Sequence, residues 1–356
     1  MVKEDSIKDL EGLPLTRRDF LKGAAGAFIA ASLGPSWRRV LAQSVDAPPE
    51  EWDEVTDVLV VGTGFAGLST AIAARDAGAD ALILEKAPEK FQGGNSLVSG
   101  QLVFYPDDKD KAIAYFKALC LAGGPEYLDQ SEDMIETWAV EMGKNPDWIR
   151  SLGGRPLVIP SVAEFPDLPG AECGNCVMMG MAGALWKFFK KNVDNRGIRT
   201  VYETPAKKLI QDPDTREILG VVAERRGREI NIKARRGVVL CCGGFETNLE
   251  MQRKYVPYLN GPGYPMGTPY NDGEGLAMGL AVGADLWHLD NLAGPHYQFR
   301  IPEHNFCTML MAYPANSFIW VSGDGRRFVS EIRDQTRSML RHGKIYDKRQ
   351  GKWVPN

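Results

Sequence analysis

The sequence has 356 residues, 44% of them hydrophobic and 25% charged, a composition typical of a globular protein that forms one large domain or two modest ones. Its net charge of −4, from 42 basic and 46 acidic side chains, argues against a nucleic-acid partner. No apolar run after residue 44 is long enough to cross a membrane, so we expect no stable span in the mature chain.

The first element in chain order is a targeting segment. Residues 16–22, TRRDFLK, form a twin-arginine pattern, and an alanine-rich apolar run follows at residues 23–33. We therefore predict a twin-arginine (Tat) signal peptide over residues 1–43 and a linker over residues 44–55. The expected consequence is export by the Tat machinery to the periplasm or another extracytoplasmic compartment of a bacterium. A disordered basic tail, or a helix of the mature fold, is the alternative interpretation.

Residues 57–86 predict a strand, a glycine turn, a helix and a second strand. Gly62, Gly64 and Gly67 form G-x-G-x-x-G directly after the apolar run VLVV, an arrangement that brings a pyrophosphate to the N-terminus of a helix. Glu85 follows the second strand, 18 positions after Gly67, where a carboxylate can accept hydrogen bonds from a ribose. This combination predicts a dinucleotide-binding site. A tight turn in an ordinary α/β domain is the alternative.

The middle of the chain predicts helices and one long loop. Within residues 107–152 we expect a helical insertion into the α/β framework, made of helices at residues 110–121, 127–142 and 146–152. The Pro- and Gly-rich residues 156–176 predict a surface loop, and residues 180–192 predict a helix with one apolar face.

Short β segments dominate the next part of the chain. A strand is expected at residues 199–203, followed by a three-stranded β-meander at residues 207–211, 218–224 and 229–233. A separate apolar strand is predicted at residues 237–242. The last predicted elements are a helix from residue 248, a helix over residues 276–282 and a strand over residues 284–289.

Six cysteines are present, and two of them, Cys173 and Cys176, form C-x-x-C. No His follows Cys176, which argues against c-type haem attachment, and no second pair completes a zinc site. We expect no metal here, and two free thiols in a loop or a disulfide or redox pair both stay open. The neighbours Cys241 and Cys242 follow a buried strand and are expected to serve packing.

The order of these motifs resembles the FAD-dependent fumarate reductase/succinate dehydrogenase flavoprotein family, which includes flavocytochrome-c-type fumarate reductases and 3-ketosteroid dehydrogenases. Besides the glycine motif, the resemblance rests on GGNS at 93–96, RGVVLCCGGF at 236–245, NDGEG at 271–275 and GRRFVSE at 325–331. It implies an α/β fold. A Rossmann-like FAD-binding domain with a β-meander and a helical insertion would span residues 56–291, and an α+β capping domain would begin at residues 292–356. The meander favours FAD, because a plain nicotinamide domain usually continues its parallel alternation there.

The same resemblance implies how the cofactor is held. Non-covalent FAD is expected, because no His lies in residues 93–100, where membrane-bound relatives attach the flavin. The residues implied in FAD binding come from separate segments of the chain: Gly62, Gly64, Ala66, Gly67, Glu85, Lys86, Asn95, Ser96, Ala206, Gly243, Gly244 and Asp272.

The sequence departs from the family where the substrate is expected to bind. His296 is followed by Tyr297 and not by Pro-Thr, and Gln335 stands where fumarate reductases carry an Arg. The family also continues past the segment at which this chain stops, so the resemblance predicts a C-terminally truncated chain. The candidate residues for proton transfer are Arg333, Arg337, Glu331 as a relay and His296.

The resulting hypothesis is an exported FAD oxidoreductase. It would transfer hydride between flavin N5 and a carbon next to a carbonyl or carboxylate, on an enoate, ketone or steroid-like small molecule. Electrons are expected to come from, or to pass to, a separate donor or acceptor. A truncated FAD-binding remnant without turnover and an NAD(P)-dependent dehydrogenase are the alternatives.

Overall fold

The computed structural model describes residues 48–121, 132–160, 163, 165–256, 267–287 and 289, with short stretches at 299–300, 307–308, 319, 325–327, 344–347 and 352–355. The predicted signal peptide lies outside the described residues, as do the four candidates for proton transfer and the predicted boundary between residues 291 and 292. Among the helices that the structure does describe, none is both long and apolar enough to span a bilayer.

The described part of the chain contains both strands and helices. The strands, in chain order, are β1 (Glu54–Val61), β2 (Ala81–Leu84), β3 (Leu102–Pro106), β4 (Leu157–Ile159), β5 (Gly174–Met178), β6 (Arg199–Val201), β7 (Ala206–Gln211), β8 (Ile218–Arg225), β9 (Arg228–Leu240), β10 (Phe299–Arg300), β11 (Cys307–Thr308), β12 (Lys344–Asp347) and β13 (Lys352–Pro355). The α-helices are α1 (Phe65–Asp76), α2 (Gly94–Val98), α3 (Lys109–Leu121), α4 (Glu132–Gly143), α5 (Asn145–Ser151), α6 (Ala184–Asn195), α7 (Leu249–Tyr255) and α8 (Glu274–Ala281). Short 3₁₀ turns cover Glu89–Phe91 and Ala171–Cys173.

A six-stranded sheet with the order β6-β2-β1-β9-β8-β7 forms the centre of the fold. β6, β2, β1 and β9 pair in parallel, and β9, β8 and β7 pair antiparallel. The parallel strands are the predicted Rossmann-like layer, and the antiparallel strands are the predicted meander. Helix α1 buries Leu68, Ala71 and Ile72 on one face of the sheet, which the Ala- and Leu-rich sequence after the glycine turn predicts.

β9 corrects the prediction of two separate strands at residues 229–233 and 237–242. It is one strand of 13 residues that pairs with β8 through its first half and with β1 through its second half. The sequence KARRG at residues 233–237 suggests a break, but β9 accommodates it as a β-bulge, in which Arg235 and Arg236 lie opposite the single residue Asp57 of β1. The meander and the parallel layer are therefore one continuous sheet.

The loop predicted at residues 156–176 is wrong in two places. β4 and β5 lie at its ends and form a three-stranded antiparallel sheet with β3, in the order β3-β5-β4. The local Pro and Gly content cannot predict that β3 is the pairing partner of β5. β3 forms backbone hydrogen bonds with β5 although it lies about 70 residues earlier in the chain. Cys173 and Cys176 are free thiols, buried in and beside this sheet instead of lying in an open loop.

The other predicted helices agree with the structure to within a few residues. The strand predicted over residues 284–289 does not form in its described part, because residues 284–287 carry no regular structure. Asn248 caps α7 by accepting a hydrogen bond from the backbone N–H of Met251, which explains why that helix begins where the sequence predicts.

Gln101 holds the segment around α2 to the start of α6. It is fully buried at a backbone φ of +59°, a conformation that is uncommon for residues other than glycine. Its Nε2 donates to the carbonyl oxygen of Ser96 at 2.7 Å, and its Oε1 accepts from the backbone N–H of Trp186 at 3.0 Å. These bonds offset the cost of the left-handed backbone.

Two substitutions of Gln101 separate the contribution of its hydrogen bonds from the cost of its left-handed backbone. We expect Gln101→Ala to lower the free energy of unfolding by about 2 kcal/mol, because the N–H at the helix start loses its buried acceptor. Gln101→Gly loses the same bonds but removes the left-handed strain, so it should be about 1 kcal/mol less destabilising than the Ala variant. Urea unfolding measures both values. Equal stability of the two variants would contradict the strain argument.

Candidate cofactor site

A cavity of about 390 Å³ opens where β1, β2 and β9 end at the same edge of the central sheet. The last residues of these strands, Val61, Leu84 and Leu240, lie in its wall. This is the edge at which parallel α/β sheets bind ligands. Of the twelve residues predicted to bind the cofactor, eleven line the cavity: Gly62, Gly64, Ala66, Glu85, Lys86, Asn95, Ser96, Ala206, Gly243, Gly244 and Asp272.

Gly67, the twelfth, lies behind the wall and sets the distance between α1 and the turn. A Cβ built on Gly67 would lie 1.9 Å from the carbonyl oxygen of Gly62, so only glycine allows this approach. Gly62 itself has a φ of +111°, and a Cβ there would lie 2.3 Å from the carbonyl oxygen of Cys241. This geometry agrees with the roles predicted from the sequence, in which Gly62 allows the tight turn and Gly67 allows the helix to pack closely on the sheet.

Glu85 is fixed by donors on both of its carboxylate oxygens. Oε2 accepts from the backbone N–H of Thr63 at 3.1 Å and, in a short bond, from the Thr63 hydroxyl. Oε1 accepts from the backbone N–H of Ala87 at 2.8 Å. The Thr63 hydroxyl in turn accepts from the backbone N–H of Gly93 at 2.8 Å. Glu85 is only 8% exposed, so these bonds orient its carboxylate at the end of β2.

Lys86 and Asp272 meet across the cavity wall. The Nζ of Lys86 lies 2.7 Å from Asp272 and 3.1 Å from Glu274, at the start of α8. Burial alone would lower the pKa of Lys86, but the hydrogen bond to Asp272 and the charges of both acids raise it above its usual value. The lysine is therefore charged, and it reduces the repulsion that the two acids would exert on an anionic ligand.

Ser96 connects the GGNS segment to the glycine turn. Its Oγ accepts from the backbone N–H of Phe65 at 2.9 Å, at the first residue of α1. A Cβ on Gly64 would lie 3.2 Å from this same Oγ, so Ser96 lies directly over the turn. The two motifs, whose contacting residues are 31 positions apart in sequence, form one surface.

Cys241 and Cys242 follow β9 and pack on opposite faces of the sheet. Cys241 joins the apolar cluster that contains Val60 and Leu68, whereas Cys242 joins the cluster that contains Leu59. Both also line the cavity, so packing is only part of their role. Since their side chains face opposite ways, they do not act as a chelating pair.

Cys242 is expected to resist alkylation. Burial, with smaller contributions from Cys241 and Glu274, raises the pKa of Cys242 to about 12, so on the order of 10⁻⁴ of it is thiolate at pH 8, against roughly a quarter of a free thiol. Iodoacetamide at pH 8 should label Cys242 at least about a hundredfold more slowly in the folded chain than in urea. Peptide mass mapping measures both rates, and similar rates would contradict the buried, protonated thiol.

Several residues of the site carry no sequence signal. Thr63 occupies a variable position of the glycine motif, yet it anchors Glu85. Trp186 donates from Nε1 to the carbonyl oxygen of Thr63 at 2.8 Å and lies against Gly93. Asn271 and Thr268 line the cavity from the segment before α8. Of these residues only Asn271 could have been indicated by the sequence, because it is the first residue of the NDGEG motif at 271–275.

Among the described residues, no group of His, Cys, Asp and Glu side chains could hold a metal ion. The cavity instead offers backbone-lined walls at Gly62, Gly64, Gly243 and Gly244, where side chains do not keep a diphosphate away. It also offers the oriented carboxylate of Glu85 for a ribose. Fold and site together define a dinucleotide-binding α/β protein.

Residues 57–354 match the model of the FAD binding domain family, so the chain belongs to that family. The predicted family resemblance, the α/β fold class and the cofactor FAD are thereby confirmed. The walls described above fit FAD, because an extended dinucleotide needs a close approach to the glycine turn at one point and a ribose acceptor beyond it.

Two curated relatives and one solved structure illustrate the similarity. The chain is 29% identical to the acrylate reductase flavoprotein subunit of Shewanella woodyi, over 93% of this chain and 66% of the relative. It is 25% identical to the probable fumarate reductase Ifc3 of Shewanella frigidimarina, over 80% of this chain and 48% of the relative. The 3-ketosteroid delta1-dehydrogenase of Sterolibacterium denitrificans shares the fold, with a TM-score of 0.67, 22% identity and coverage of 77% of this chain and 63% of that one. The chain thus spans about half to two thirds of the length of these proteins.

Proposed function

We propose that the protein is an FAD-dependent oxidoreductase that acts on an enoate, a carbon–carbon double bond next to a carboxylate. FAD, when bound, supplies hydride transfer at N5, and electrons pass to or from a separate donor or acceptor. The observation that carries the proposal is the cavity at the ends of β1, β2 and β9, lined by eleven of the predicted residues. The names of the two curated relatives, which specify acrylate and fumarate, support the substrate class.

In this proposal the residues of the chain bind FAD and orient it. The backbone N–H groups at the start of α1 would receive the pyrophosphate, and Glu85 would accept from the ribose. Lys86 offsets part of the negative charge of Asp272 and Glu274 beside these anionic groups. Asn95 and Ser96 would lie beyond the pyrophosphate, toward the flavin.

The experiment is reoxidation of the reduced chain without oxygen. The full chain, loaded with FAD and reduced with one equivalent of dithionite, is mixed with acrylate or fumarate and followed by flavin absorbance. We expect the absorbance to return with either enoate and not with the saturated acids propionate and succinate. A flavin that stays reduced with both enoates would contradict the proposal and would favour an FAD-binding remnant without turnover. Acid precipitation tests non-covalent attachment, since it should release all FAD.

We further propose that proton transfer depends on Arg333 or Arg337, with Glu331 as a relay and His296 as the alternative. An Arg needs neighbouring charges to make its deprotonation accessible, because its unperturbed pKa is about 12.5–13.8. Replacement of the true donor by Ala should lower the reoxidation rate by roughly 10²- to 10⁴-fold without weakening FAD binding. If all four single variants react at the wild-type rate, none of them is the donor.

We also infer that residues 1–43 direct export through the Tat machinery, because Arg17 and Arg18 precede an apolar run. Fused to a reporter that is exported only when folded, these residues should carry it to the periplasm. The double substitution Arg17→Lys and Arg18→Lys should retain the reporter in the cytoplasm. A wild-type fusion that stays in the cytoplasm would contradict the inference.

A further inference from the structure

Glu246 connects three segments that form the wall of the cavity. It lies in the loop after β9, two residues beyond Gly244. Its Oε1 accepts from the side-chain amide of Asn95 at 2.5 Å and from that of Asn271 at 2.7 Å. Asn95 and Asn271 both line the cavity, and Glu246 lies behind them.

We propose that Glu246 is a positioning residue that clamps the two asparagines in the orientation the cofactor requires. This inference rests on the proposed function, because it assigns Glu246 a task in the same site. The clamp joins α2, the turn after β9 and the segment before α8, whose sequence separations are 151 and 25 residues. The turn after β9 and the segment before α8 are also joined by a backbone hydrogen bond from the N–H of Gly273 to the carbonyl oxygen of Gly244 at 3.1 Å, and Glu246 adds α2 to this pair through Asn95.

The carboxylate of Glu246 sets the orientation of both asparagine side chains. A carboxylate only accepts hydrogen bonds, so both asparagines must turn their Nδ2 toward Glu246 and their Oδ1 away from it. The Oδ1 of Asn95 consequently accepts from the backbone N–H of Thr268 at 2.9 Å. The Oδ1 of Asn271 packs against Gly243, 2.5 Å from the position a Cβ would take there. Glu246 thus decides which polar atoms the wall presents.

Glu246 is itself held from behind. The side chain of Gln252 in α7 donates to the carbonyl oxygen of Glu246 at 2.5 Å. A Cβ on Gly244 would lie 2.5 Å from Oε2 of Glu246, so the carboxylate also covers the back of that glycine. The backbone of Glu246 is therefore anchored to α7, and its carboxylate lies against Gly244.

The test compares FAD affinity in five forms of the full chain: wild type, Glu246→Ala, Glu246→Gln, Asn95→Ala and the double variant Glu246→Ala/Asn95→Ala. We expect Glu246→Ala to raise the Kd for FAD about tenfold, since both amides lose their common acceptor. Glu246→Gln keeps an acceptor oxygen and should stay within about threefold of wild type. The double variant should bind no worse than the weaker of its two single variants, because both remove the same contact.

Asp107→Ala is the matched control. Asp107 also accepts from an asparagine amide, that of Asn175 at 2.9 Å, but this pair lies outside the cavity. Its loss should lower Tm and leave the Kd for FAD unchanged. A Glu246→Ala variant that lowers Tm but binds FAD as wild type does would overturn the proposal. A Glu246→Gln variant that binds as weakly as the Ala variant would also overturn it.

The measurement separates this proposal from the proposed function. Affinity for FAD is read without turnover, so the clamp can fail while enoate reduction stands. Likewise, an enzyme that reduces neither acrylate nor fumarate can still show the expected differences in Kd.

Discussion

The Gly67→Ala variant is expected to lose about 2 kcal/mol or more of its free energy of unfolding. A glycine inside a helix normally costs about 1 kcal/mol relative to alanine, so helix propensity alone would make this substitution stabilising. Here the added methyl would lie 1.9 Å from the carbonyl oxygen of Gly62, and α1 would have to move away from β1. Overpacking of that size typically costs 1–3 kcal/mol and occasionally more, so the steric term outweighs propensity.

Displacement of α1 also moves the N–H groups at its start. We therefore expect Gly67→Ala to weaken FAD binding by roughly a hundredfold or more, although Gly67 does not line the cavity. Urea unfolding and titration with FAD measure the two effects. Gly100→Ala is the matched control, because no atom lies within 4 Å of a Cβ built there. A Gly67→Ala variant as stable as Gly100→Ala would show that α1 tolerates the shift.

The second large effect is expected from Glu85→Gln, a substitution that keeps size and removes only the charge. Both oxygens of Glu85 accept from N–H groups, from Thr63 on one side and from Ala87 on the other. A glutamine amide has one acceptor oxygen, so its NH₂ group must face one of these N–H donors. Hydrogen bonds to a charged group are worth about 1.5–3 kcal/mol. We expect the Kd for FAD to rise roughly thirty- to a hundredfold.

Glu54→Gln provides the comparison for Glu85→Gln. Glu54 is also a partly buried carboxylate on the central sheet, paired with Arg199 and Arg225 at the opposite end of β1. Its replacement should alter stability slightly and leave the Kd for FAD within about twofold of wild type. Titration of the apo forms of both variants with FAD measures the two Kd values. If the two variants bind FAD equally well, Glu85 does not hold the cofactor.

β9 shows most clearly what a local sequence pattern leaves open. Its two halves, residues 229–233 and 237–242, were predicted as separate strands because their sequence suggests an interruption. The pairing partner on each side, β8 and then β1, makes them continuous. β5 shows the same limit, since its partner β3 lies far away in sequence. Strand continuity depends on partners, and a local pattern carries little information about them.

For this protein, the family resemblance implied most of the eleven predicted residues of the cavity wall. The sequence by itself determined the βαβ unit with its glycines and terminal carboxylate, and the meander. These features depend on local spacing and on residue type, such as the absence of a side chain at Gly67, and so can be read without coordinates. Only the tertiary structure decided that Thr63 anchors Glu85, that Lys86 neutralises Asp272, and that Glu246 joins two asparagines. Each of these contacts brings together side chains whose positions are set by long-range packing of the sheet and helices, which no spacing in the sequence encodes.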